Sequence, residues 1–139
     1  MSAENETLVR RWFEEVWNQG NLDAAKEILH EDYMSPRGPF WNETLQQMTE
    51  AGLATLKEEM NAYREKYSDL RFEIERTFSE KDLVISTWRA YGIVKNEFFT
   101  NRAGRKVPVE LNGTEGMSLS RFADGKIIEN RLYWPRRSR

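Results

Sequence analysis

The sequence predicts an α+β domain with its helices on one face of an antiparallel sheet. Three observations carry that reading. Apolar residues recur at helical spacing through the first half of the chain, the period changes to two from Leu70 onward, and turn-forming residues divide the second half into strands that follow one another directly.

The first helix is written in Leu8, Val9, Trp12, Phe13, Val16 and Trp17, and Gly20 stands where a helix normally stops. Asn21 is placed to cap a second, shorter helix through Leu29, because its side-chain oxygen can accept the free amide hydrogens of the first turn. Between Ser35 and Trp41, Pro36, Gly38 and Pro39 forbid regular helix and mark a loop, a candidate lid or pocket rim. Leu45, Met48, Leu53, Leu56, Met60 and Tyr63 then predict a third helix from about Glu43 to Lys66, broken near Gly52.

In the second half, Leu70, Phe72 and Ile74 alternate with Arg71, Glu73 and Glu75, the pattern of a half-buried strand. Ser79-Glu80-Lys81-Asp82 reads as a hairpin turn into a long strand from Leu83 to Lys95, rich in β-branched and aromatic residues. Asn101 to Arg105 and Asn112 to Gly116 read as further connections, separating Val107 to Leu111 from Met117 to Phe122. Asp124-Gly125 favours the positive backbone angles of a type I′ turn and leads into Ile127 to Trp134. The count is four or five strands.

At 139 residues the chain has the size of one domain and can bury a core without metal or disulfide staples. With no cysteine, neither a disulfide framework nor a thiolate metal or redox site is available, and a single histidine argues against other metal sites. The opening Met1 to Glu6 is polar and acidic, with neither a secretory signal pattern nor a membrane span, so a cytoplasmic protein without a membrane partner is expected. Twenty-one basic and 23 acidic residues are mixed along the chain for a net charge of −2, which provides no footprint for nucleic acid. Five Trp, five Tyr and seven Phe fall mostly inside the periodic segments, where they supply buried area or the walls of a ligand site.

Several segments carry a resemblance. Leu8-Val9-Arg10-Arg11, Val16-Trp17-Asn18-Gln19-Gly20-Asn21-Leu22-Asp23 and Leu29-His30-Glu31-Asp32-Tyr33 are similar to the opening helices and first strand of the SnoaL-like polyketide cyclases of the NTF2-like superfamily. Ser118-Leu119-Ser120-Arg121-Phe122-Ala123-Asp124-Gly125-Lys126-Ile127-Ile128-Glu129 resembles that family's closing hairpin. The resemblance implies a cone, the cystatin-like α+β barrel: three N-terminal helices on a strongly curved antiparallel sheet of four to six strands, with a hydrophobic pocket inside and a homodimer formed through the sheet's outer face. It also implies ring closure by intramolecular aldol condensation without metal or organic cofactor. That chemistry needs a base to remove a proton beside a carbonyl and a polar group to hold the enolate.

The match breaks at the base. Where the cyclases carry an Asp on the last strand, this chain has Leu132 or Tyr133, depending on whether Trp134-Pro135 is aligned, and no acid lies beyond Glu129. The family's His positions are met by Ser118 and Val94. Strand alternation puts Ser118, Ser120, Asn130, Leu132 and Trp134 on the parity expected to face the pocket.

Trp17, Tyr33, Trp88, Ser118, Asn130, Leu132 and Trp134 are therefore the candidate ligand-binding residues, although aromatics in these positions equally fill a core. Asp32, Glu129 and Tyr133 are weak candidates for the catalytic groups; Glu129 has the opposite parity to Asn130, and Tyr133 needs a local bulge to turn inward. His30 is expected to end the second helix in a structural role, and Arg136, Arg137 and Arg139 to form a solvated tail. Three functions stay open: a cofactor-free aldol cyclase, isomerase or dehydratase acting on a small, mostly apolar carbonyl compound; a non-catalytic protein of the same fold that binds a small hydrophobic ligand; and a dimerising accessory protein whose pocket is filled by its own aromatics.

Overall fold

The computed structural model describes residues 2–34 and 50–135. Helix α1 (Ser2–Arg11) continues into a π-helical segment, Trp12–Asn18, and from there Trp12, Phe13, Val16 and Trp17 are all buried. Gly20, at φ +71°, turns the chain out of the helix. Asn21 caps α2 (Leu22–Ile28), its Oδ1 accepting from the amides of Asp23 and Ala24 at 3.1 and 3.2 Å. Arg11 joins these pieces, donating to Glu15 at 2.6 Å and to Glu27 of α2 at 2.8 Å.

The second helix ends one residue earlier than the sequence reading had it. Leu29 is already extended and opens β1 (Leu29–Met34), so His30 lies in a strand and not at a helix end. There it bonds Asp124 of a distant turn at 3.1 Å, and the helix dipole has no part in its setting. Helix α3 (Glu50–Lys66) passes through Gly52 without the expected break, because a glycine costs a helix only about 1 kcal/mol and packing overrides it. The loop from Ser35 to Trp41, the start of that helix near Glu43, and Arg136, Arg137 and Arg139 lie outside the described residues.

Helix α3 runs into β2 (Tyr67–Glu80) with no residue between them, three positions before the alternation becomes visible at Leu70. β3 (Leu83–Thr100) is longer than expected. β4 (Lys106–Ala123) is one continuous strand through Asn112 to Gly116, which the sequence marked as a connection. Gly113, at φ +77°, takes the irregularity that lets β4 bend past Ala90 and Tyr91 without leaving the sheet. The β4–β5 hairpin is the predicted one, with Asp124 and Gly125 at φ 52° and 76° before β5 (Lys126–Tyr133).

The strand order is β1-β5-β4-β3-β2. β2 to β5 pair antiparallel, but β1 lies parallel to β5, so the sheet is mixed and open, with β1 and β2 as edges, and neither wholly antiparallel nor closed into a barrel. The reason is that β1 is delivered by α2 and not by a hairpin, so no tight turn imposes an antiparallel direction. Edge strand β2 is held by side chains that stand in for a neighbour. Asn18 both donates to and accepts from the Phe72 backbone at 2.8 Å, and Glu6 of α1 accepts from Thr77 and Ser79.

The helices cover one face. Along β3, Val84, Ser86, Trp88 and Ala90 are buried in alternation, and the buried face of β4 and β5 continues through Ser118, Ser120 and Asn130. Trp88 on β3 is fully buried and lies directly over Gly116 of β4, its cross-strand partner. A Cβ added at Gly116 would sit inside the indole ring's van der Waals envelope. Gly116→Ala is therefore expected to lower stability by about 2–3 kcal/mol through overpacking, read as a lower urea midpoint.

Candidate active site

Aromatic rings pack between the helices and the inner face of the sheet. Trp17 meets Tyr63 of α3 edge-on at 5.3 Å and Phe72 at 5.9 Å; Trp88 meets Phe72 at 5.0 Å and Trp134 at 4.8 Å; Trp134 stacks with Tyr63 at 6.5 Å. Trp17, Trp88 and Trp134, far apart in the sequence, are thus brought into one cluster. Tyr33 is buried at its side against Trp12, and Leu132 packs on the same core.

Behind this wall runs a row of small polar side chains on three adjacent strands. Ser86 of β3 faces Ser118 of β4, and Ser120, two residues further along, faces Asn130 of β5. All four are buried. Trp88 Nε1 donates to Ser118 Oγ at 2.9 Å, and Ser120 Oγ donates to Asn130 Oδ1 at 2.5 Å. Among the described residues, Ser86 Oγ and Asn130 Nδ2 have no partner, and neither do the indole N–H groups of Trp12, Trp17 and Trp134. A buried polar atom left unpaired costs about 1–3 kcal/mol, so this interior retains hydrogen-bonding capacity for a guest.

An acid sits close by. Leu56, Glu59, Met60 and Tyr63 share one side of α3 by helical spacing, and Leu56 and Met60 are buried while Tyr63 packs into the aromatic cluster. Burial alone pushes the Glu59 carboxyl up to about 7. The sequence reading missed it because an acid beside the apolar stripe of a helix looks solvated. Its position one turn before Tyr63 was the available signal.

The other acids are placed differently. Glu129 is buried, but on the opposite face of the sheet from Asn130, as its parity required, where Arg121 at 2.6 Å and Arg131 at 3.1 Å hold it. Tyr133 shares that outer face and is substantially exposed; no bulge turns it inward. Asp32 belongs to β1, and its side chain lies outside the described residues.

The family profile of SnoaL-like polyketide cyclases matches residues 7–136. The chain belongs to this family. Solved structures share its NTF2-like fold. A candidate SnoaL-like polyketide cyclase from Jannaschia superposes with a TM-score of 0.67 at 20% identity, covering 95% of this chain and 85% of that one. A candidate polyketide cyclase from Acidithiobacillus ferrooxidans superposes at 0.66 and 19% identity, covering 93% and 86%. IdmH from Streptomyces antibioticus, also described as a candidate polyketide cyclase, superposes at 0.63 and 20%, covering 92% and 89%. At such identities the likeness establishes the fold alone. No curated protein matches the chain.

Glu59 makes stability depend on pH. Its carboxyl ionises near 4.5 when unfolded and near 7 when folded, so its full contribution is present below about pH 4.5 and is lost as the pH rises through 7. Wild type is expected to lose on the order of 2–3 kcal/mol across that window relative to Glu59→Gln, whose stability stays flatter. Urea denaturation at pH 5 and pH 8 measures the difference; parallel losses in both proteins would remove Glu59 as its source.

Proposed function

We propose that this protein binds a small, mostly apolar carbonyl compound between α3 and the inner face of the sheet and moves a proton beside its carbonyl group without a cofactor. In this reading Glu59 is the base, and Asn130 Nδ2 holds the carbonyl oxygen. The Glu59 carboxylate takes the proton from the carbon next to the carbonyl, and the electron pair moves onto the oxygen as an enolate. The enolate carbon then attacks a second carbonyl in the same molecule, takes back a proton at another carbon, or expels a β-hydroxyl group as water. These are the aldol cyclase, isomerase and dehydratase outcomes.

The observation that carries the proposal is the position of Glu59 on the packed side of α3, with a carboxyl whose proton affinity is matched to neutral pH. The unpaired Nδ2 of buried Asn130 supports the oxygen site. Glu59 takes the role that the family assigns to an Asp at the place of Leu132 or Tyr133, while Glu129, neutralised by two arginines, takes none.

Base catalysis is tested with 2-tetralone, an apolar ketone with acidic α-protons. Wild type is expected to accelerate exchange of those protons for deuterium in D2O, followed by proton NMR, and Glu59→Gln to lower the rate about 100-fold or more. Tetralone that binds, seen as a change in tryptophan fluorescence, yet exchanges no faster than in buffer would leave the non-catalytic hydrophobic-ligand carrier in place of the enzyme.

The same reading takes the protein as a homodimer joined through the outer face of the sheet. Phe78, Met117 and Tyr133 are exposed there around a groove of about 610 Å³ shared with Thr87 and Arg89. Light scattering is expected to find twice the 16.5 kDa chain mass for wild type and the single-chain mass for Phe78→Glu combined with Met117→Glu. A wild-type monomer would end this part of the proposal.

A further inference from the structure

The aromatic cluster opens at one end into a second cleft, of about 410 Å³, where the π-helical segment meets the junction of α3 and β2. Trp17, Arg64, Tyr67, Ser68, Asp69 and Lys95 line it. Its floor is apolar through Trp17, which also forms part of the interior cluster, and its rim is basic. Arg64 lies against Gly20, whose missing side chain leaves the room: a Cβ there would come within 2.5 Å of Arg64 Nη2. Lys95 approaches from β3, and Lys66 lies over the Tyr67 ring at 5.4 Å.

These cations differ from most arginines of the sheet and first helix. Arg11, Arg71, Arg89, Arg121 and Arg131 each pair with a glutamate. Among the described residues neither Arg64 nor Lys95 has such a partner, although Asp69 lines the same cleft. The cleft thus combines two unpaired cations and one carboxylate with the hydroxyls of Tyr67 and Ser68. Trp17, 7% exposed, supplies the aromatic wall of the cleft. Cations and hydroxyl groups beside an aromatic ring are the elements that recognise an anion carried on an apolar body.

We propose that this cleft is an anion subsite, in which Arg64 and Lys95 take the carboxylate of a ligand whose apolar part lies on Trp17 and in the interior beyond it. The substrate class is thereby narrowed to carbonyl compounds carrying an acidic group at the end away from the reacting carbon. The inference rests on the proposed interior site only for the apolar end of that ligand.

Binding of 2-naphthoate and of uncharged 2-naphthalenemethanol to wild type and to the double variant Arg64→Gln, Lys95→Gln tests it by calorimetry. Both substituted residues are exposed, and circular dichroism checks that the variant stays folded. Wild type is expected to bind the carboxylate about tenfold more tightly than the alcohol, with an advantage that shrinks at high salt and disappears in the variant. Binding of the carboxylate alone, still dependent on Arg64 and Lys95, would support the anion subsite while removing the interior pocket. Equal binding of the two probes by wild type, or equal weakening of both in the variant, would overturn the anion subsite and leave the pocket standing. Binding of neither would overturn both.

Discussion

The placement of Trp88 on β3, between β2 and β4, is the constraint on which the interior depends. It is the largest fully buried side chain among the described residues, and it fits only because its partner across the ladder is Gly116. Around it pack Phe13 from the π-helical segment, Phe72 from β2 and Trp134 beyond the end of β5, so one ring joins three separate parts of the chain. Its indole N–H, donated to Ser118, also orients the first member of the polar row. A ring of this area held on all sides contributes both burial and geometry, and it divides the interior into an aromatic wall and a polar floor.

That division explains the chemistry assigned to the site. An acid exposed to water keeps its ordinary proton affinity, and an acid beside a fixed cation becomes a weaker base. Glu129 is as buried as the core, and Arg121 and Arg131 on neighbouring positions pair with it. Glu59 shows the opposite arrangement, with burial and no compensating cation. Two carboxylates of one fold thus stand in different settings, one ion-paired on the outer face of the sheet and one on α3 with its proton affinity raised by burial.

Much of the framework was legible in the sequence because it depends on local periodicity. The spacing of Trp12, Phe13, Val16 and Trp17, the cap at Asn21, the alternation through Phe72 and the Asp124-Gly125 turn all act over a few residues. Parity alone put Ser118, Ser120, Asn130 and Leu132 on the inner face and Glu129 on the other. What the sequence concealed is non-local. The parallel pairing of β1 with β5 joins segments about a hundred residues apart. Asn112 to Gly116 has the composition of a turn but is held straight in the ladder by β3. Glu59 became a site residue only through what packs over it, and the partnerless atoms of Ser86 and Asn130 cannot be recognised until every neighbour is known.

The direct passage from Lys66 of α3 to Tyr67 of β2 has a mechanical consequence. Helix and edge strand form a single stiff arm with no slack at the joint, and that arm carries Glu59 on one limb and the walls of the cleft at its elbow. A guest that displaces the helix must also displace the strand, and the nearest compliant point is the irregular pairing between Ser68 and Arg71. The seat of the helix and the lip of the cleft are therefore set together, because one unbroken stretch of chain makes both.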